Sequence, residues 1–219
     1  MIYSIYKDLH DGDFVTALGY EILIHTRTVG SLKVTSGKLV ACDPIVHPTT
    51  EPFDIDLPVG EFPVQITIAE LRDEARIAYA SILFKKESAR SWKLLTVPEE
   101  DTSMFSSDEH GYTTVSELGC FMDADTADCY LDYLDFYDEN EKDDLKKNFS
   151  KLERRAKNKG VSFAALTHEH LQGGNILTFS SGFGQGFYHT YVGRDSDGEL
   201  ARIVTDFRVL DYRFPSFGF

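Results

Sequence analysis

The chain predicts an α+β fold, a mainly antiparallel, sandwich-like β-sheet with a helical insert near residues 123–159, and three features carry that prediction. Short apolar segments with period-two alternation recur between glycine turns, the pattern of strands that bury one face. From Asp123 to Lys159 there is neither Gly nor Pro, as a helical stretch requires. Between Asn175 and Phe207 five glycines, at 182, 184, 186, 193 and 198, stand among aromatic and β-branched residues. That stretch reads as strand, tight glycine corner, strand, Asp/Gly hairpin and strand. At 219 residues the chain fits a single domain, 1–219, that includes the insert.

The elements follow in order. Tyr20–His25 reads as a strand. Leu32 and Val34, the Ser36-Gly37 turn and Leu39–Ala41 read as a hairpin, because alternation flanks a two-residue turn that contains Gly. Asp43-Pro44 stops it, since Pro has no N–H and restricts the residue before it. Residues 47–58 are rich in acids and prolines and read as a loop. Phe62, Val64, Ile66 and Ile68 share one face of a strand that pairs with the nearly continuous apolar run Arg76–Phe84. The segment between them, 69–75, is charged and reads as exposed. Ser91–Val97 holds the only tryptophan, Trp92, and adds a strand, and the acidic, Ser-rich stretch 98–111 is a loop.

After the strand Leu118–Met122, Asp123 is placed to cap a helix, with a break near 138–140, where Asp138 and Glu141 form a capping box. Leu145, Phe149, Leu152 and Ala156 then recur as one apolar stripe, and Gly160 stands where a helix-ending glycine belongs. Val161–Leu166 and Ile176–Phe179 resume strand character. Ile66, Ile68, Ile77, Tyr79, Ile82, Phe84, Phe179 and Val204 are the expected core.

Charge narrows the function. The net charge is −14, from 36 acidic against 22 basic residues. Such a chain is repelled by nucleic acid phosphates and anionic membranes, which bind through Lys and Arg that displace counterions. Partners of the opposite sign, basic proteins above all, fit better. Cys42, Cys120 and Cys129 are odd in number and form no CxxC pair, so neither a disulfide framework nor a structural zinc site is predicted. No basic-then-apolar leader and no run of 18 apolar residues is present. The expected location is the cytoplasm.

Within the helical region the charge is uneven. Residues 123–144 hold ten Asp or Glu and a single Lys, whereas 145–159 hold seven Lys or Arg and a single Glu. Asp125, Asp128, Asp132, Asp135 and Glu139 step by three and four and so fall on one helix face. Two readings stand: a solvated face whose acid-first order suits the helix dipole, or a ridge that docks on a basic partner and steers its approach. His168 and His170 flank Glu169, but no spacing fixes a third ligand and HExxH is missing, so no metal is assigned. GxSxG, the Walker sequence and the dinucleotide fingerprint are all absent, and no cofactor is predicted. Residues 195–198 (DSDG) read as a hairpin turn rather than a calcium loop.

Taken together, GSLxVxSGxLVACDP at 30–44, PVGxFPV at 58–64, GCFMDA at 119–124 and SSGxGxGxYxxYxGxDxxG at 180–198, closing in VTDF at 204–207, resemble the bacterial domain-of-unknown-function family 4241 (DUF4241). The resemblance implies one compact domain and no established activity. The corner in that family usually reads SGxGDG, and here Gln185 takes the place of the acid.

Two functions follow as expectations. The first is a non-enzymatic acidic binding protein, an immunity-type inhibitor of a basic bacterial toxin, which binds through Asp125, Asp128, Asp132, Asp135 and Glu139. The alternative is a hydrolase-like enzyme at the glycine corner. There Asp43, Asp123 and Asp206 would converge at strand ends, with Tyr188 or His189 as acid or base. For Ser181, Tyr188 and Tyr191 the competing role is packing. Gly182, Gly184 and Gly186 leave one face bare, for a ligand or for a ring such as Trp92, Phe121 or Tyr188.

Overall fold

The computed structural model describes residues 8–17, 19–98, 111–136 and 144–210. Its strands form two sheets in which every pairing is antiparallel among the described residues. The larger sheet contains β1 (Phe14–Ala17), β2 (Tyr20–Val34), β4 (Gly60–Glu70), β5 (Ala75–Leu83), β12 (Leu200–Asp206), β11 (Gly186–Arg194) and β6 (Ser91–Leu94) in that spatial order. Beside it β7 (Tyr112–Thr114) also pairs with β11. The smaller sheet has the order β3 (Leu39–Cys42), β8 (Leu118–Asp123), β10 (Ile176–Ser180) and β9 (Phe163–Leu166).

One face of the smaller sheet packs on the larger sheet. Phe121, Leu177 and Phe179 share a core with Ile22, Leu32, Ile66 and Ile82. At the bulge beside Gly30 the sheets close so tightly that a Cβ there would stand 3.0 Å from the Ala165 side chain. The opposite face of the smaller sheet carries α1 (Ala124–Phe136) and α2 (Asp144–Lys159). Val40, Cys42, Leu118, Cys120 and Met122 meet Tyr130, Tyr133, Leu145, Phe149, Leu152 and Ala156 in a second core. The predicted stripe of α2 is thus its buried face. Gly160, with φ +70°, ends that helix and donates its N–H to the Ala156 carbonyl.

The Ser36-Gly37 turn is not a hairpin. β2 pairs with β1 and β4, whereas β3 pairs with β8, so the turn carries the chain from one sheet into the other. Asp123 captures it: Oδ2 accepts the N–H groups of Thr35 and Ser36, both at 3.0 Å, and the Ser36 hydroxyl at 2.8 Å, while Oδ1 accepts the Thr35 hydroxyl at 2.9 Å. The segment 69–75 also differs from expectation. Ala69 is fully buried and Leu71 nearly so, because β4 runs on to Glu70. The expected core is buried except for Phe84, which is half exposed.

Candidate functional site

The face of α1 is the first candidate. Asp123 stands at its N-terminus, and Oδ1 accepts the Asp125 N–H at 3.1 Å, an N-cap. Ala127, Tyr130 and Tyr133 are buried beneath the helix, and the Tyr130 hydroxyl donates to the Pro44 carbonyl at 2.7 Å. The other side of the helix faces water: Asp125, Asp128, Asp132 and Asp135 are exposed. None of the four carboxylates has an ion-pair partner among the described residues, and the one contact shown is the Thr35 hydroxyl on Asp125 at 3.2 Å. Glu139 lies outside the described residues.

The candidate catalytic residues are spread over the molecule. Asp43 is fully buried just beyond β3. Its Oδ1 accepts the N–H groups of Ile45 and Val46 at 2.9 and 3.0 Å and the Ser116 hydroxyl at 2.7 Å. Its Oδ2 accepts the N–H groups of Val115 and Ser116 at 2.7 and 2.8 Å. Burial pushes this carboxyl up, but the bonds from Ser116, Val46 and Ile45 outweigh it and hold the group below its ordinary value. The anion is thus spent on knotting two loops together. Leu39 pairs with Asp123 and Cys42 with Cys120, so Asp43 and Asp123 stand at opposite ends of the strand pair, about 13 Å apart along it.

Asp206 lies in the other sheet, opposite His189 across β11–β12. Tyr188 precedes His189 and therefore points to the other face of β11. It stacks edge-on against Phe207 at 5.1 Å, on the core side. Asp43, Asp123, Asp206 and Tyr188 therefore do not meet at one point.

The glycine corner is closed by hydroxyls. The Gly184 carbonyl accepts from Ser181 at 2.8 Å, Tyr188 at 2.8 Å and Thr114 at 3.1 Å, while the Gly184 N–H donates to the Ser181 carbonyl at 2.7 Å. Burial pushes the Tyr188 hydroxyl up to about 12, so at neutral pH it donates. Gly182 (φ +54°) presses on Phe207, and Gly184 (φ +107°) faces Glu117. Of the three rings expected to fill the bare face, Tyr188 does so, against Gly186. Trp92 instead covers Gly193, and Phe121 stacks on Phe179.

His168 accepts the His170 N–H at Nδ1, and the two rings stack at 5.1 Å and flank Tyr133. Among the described residues no group of three metal-ligating side chains assembles, and no helix is long and apolar enough to cross a membrane. Three features had no sequence signal. Thr35 and Ser36 meet Asp123 only through the fold, Cys42 and Cys120 face each other with Sγ atoms 3.6 Å apart, and Arg208 turns back onto His189.

A family model described as a protein of unknown function, DUF4241, matches residues 32–205, and the chain belongs to that family. No curated protein and no solved structure matches it.

Proposed function

We propose that this DUF4241 protein is a non-enzymatic acidic binding protein that docks a basic protein partner on the aspartate face of α1, as an immunity-type inhibitor of a basic bacterial toxin would. The observation that carries this reading is the row Asp125, Asp128, Asp132 and Asp135, exposed on a helix whose opposite side is locked into a core. Like charges at this spacing cost the helix about 0.2–0.5 kcal/mol per pair, a cost that docking on a cationic surface would offset. The face is also preorganised, because the cap at Asp123 and the Tyr130 bond fix the helix before any partner arrives. The buried carboxylates Asp43 and Asp123 are already committed to internal N–H and hydroxyl groups, which weighs for recognition over acid–base chemistry. We place this role in the cytoplasm, where cysteines without a disulfide or zinc spacing remain thiols.

The test is affinity capture from the native host at low ionic strength, followed by elution with salt. A basic protein that is retained by the wild type, released by salt and lost with D128K/D132K supports the reading. Capture that is indifferent to that double charge reversal contradicts it.

A further inference from the structure

The fold joins two thiols that the chain keeps apart. Cys42 and Cys120 are 78 residues distant in sequence, yet their Sγ atoms lie 3.6 Å from each other. They are direct partners across β3 and β8, and both point into the core beneath the helices. The Ala124 N–H donates to the Lys38 carbonyl at 3.2 Å, which fixes the phase of this antiparallel ladder. Hydrogen-bonded pairs alternate along such a ladder, so 38/124, 40/122 and 42/120 are of the bonded kind. The Cα atoms of a bonded pair are about 5.5 Å apart, inside the span that a disulfide bridges. The backbone is therefore already placed for an S–S bond, and only the two sulfurs have to close.

The position also sets what such a bond would hold. β3 is an edge strand of the smaller sheet and ends at Cys42. The next residue, Asp43, knots the loops at 45–46 and 115–116, and the Pro44 carbonyl accepts the Tyr130 hydroxyl of α1 at 2.7 Å. A bond from Cys42 to Cys120 fastens the edge strand and, through Pro44, the helix above it. At rest the pair is quiet. Burial, with the Cys42 thiol beside it, holds Cys120 well above its ordinary value, so it stays a thiol at neutral pH. Beyond Cys42 the chain reaches the surface at Ile45, whereas Cys120 lies within β8, between β3 and β10. Local opening at the sheet edge thus uncovers Cys42 first.

We infer that Cys42 and Cys120 form a thiol–disulfide latch, closed by a peroxide and reopened by a dithiol. Cys42 gives its proton to solvent and, as the thiolate, attacks a peroxide oxygen. The O–O bond breaks, the expelled hydroxide takes a proton back as water, and a sulfenic acid remains. The Cys120 sulfur then attacks the Cys42 sulfur, the S–O bond breaks, and the departing hydroxide takes the Cys120 proton as a second water. Two thiols and one hydrogen peroxide give one disulfide and two waters. A dithiol reverses the bond by exchange and is itself oxidised to its cyclic disulfide. Cys129, half-buried on α1, stands outside the pair, and burial with Asp132, Asp128 and Asp125 pushes its thiol up. The latch does not depend on the docking role of α1.

The experiment treats the full chain with hydrogen peroxide well below its melting temperature, alkylates it in denaturant and maps the peptides by mass spectrometry. The expected product is a peptide pair joined at 42 and 120 and lighter by two hydrogens, with Cys129 alkylated. Dithiothreitol should restore all three thiols. The oxidised chain should melt higher than the reduced one, because the cross-link restricts the unfolded chain over a long loop. C129A should keep both the cross-link and the rise in melt, and C42A and C120A should lose both. Cys42 and Cys120 that stay alkylatable, that run on to sulfinic acid, or that close only once the chain unfolds would overturn the inference. A cross-link through Cys129 would do the same, as would an oxidised chain that melts lower, since the bond would then distort the strands rather than fasten them.

Discussion

Asp43 shows how one residue holds distant segments together. Its carboxylate accepts from four backbone N–H groups and one hydroxyl, on the loops at 45–46 and 115–116. Asp43→Asn replaces one acceptor oxygen with a donor that faces N–H groups, and an unsatisfied buried group costs about 1–3 kcal/mol. Urea melts at neutral pH should show that loss. The sign with pH follows from the lowered value. The unfolded chain binds the proton more readily, so the contribution is complete above the unfolded value, about 4, and is lost as pH falls through the folded one. In D43N that part of the acid limb should flatten. Tyr188 acts at the other end of the scale. Its hydroxyl is raised to about 12, so stability is complete below the unfolded value near 10 and declines as pH rises through the folded one; Y188F should weaken that decline. At the corner, Gly182→Val meets the Phe207 backbone, whereas Gly184→Val meets the flexible end of Glu117. Both lose the positive φ, and overpacking adds about 1–3 kcal/mol. The melt should therefore fall further for Gly182→Val.

Elements were legible where burial is periodic. The stripe of α2, the stop at Gly160, the β4–β5 pair and the sequence of strands, corner and hairpin from Ile176 to Asp206 all follow from spacing. Which sheet a strand joins does not. Leu32, Val34 and Leu39 look like two sides of a hairpin because both sheets bury them in one core. The partner that separates them, Asp123, lies far along the chain. For the same reason Asp43, Asp123 and Asp206, each at the end of an apolar segment, resemble one carboxylate cluster although the fold keeps them apart. The acidic face of α1 was readable from its three-and-four steps, whereas the turn of Arg208 back onto His189 was not, since it depends on a backbone conformation that composition does not encode. Asp123 joins two elements, the turn at 35–36 and the start of α1. Asp123→Ala should thus cost more than a lost cap alone, about 2–4 kcal/mol in urea melts where a cap accounts for about 1.

At the scale of the whole molecule, two antiparallel sheets share one core and a helical layer covers the outer side of the smaller sheet. This arrangement turns the acidic face of α1 outward on a chain of net charge −14. A long-range field of that sign speeds the approach of a cation-rich surface and falls with added salt. The most direct measurement is the affinity of D128K/D132K for the captured basic partner, set beside its melting temperature. Each reversal removes like-charge neighbours on the helix, so the melt should hold or rise slightly. Affinity should fall by about a hundredfold or more, since each of the two desolvated charge pairs lost costs on the order of 1.5 kcal/mol or above. An affinity equal to wild type, with the fold intact, would contradict the assignment of α1 as the docking face.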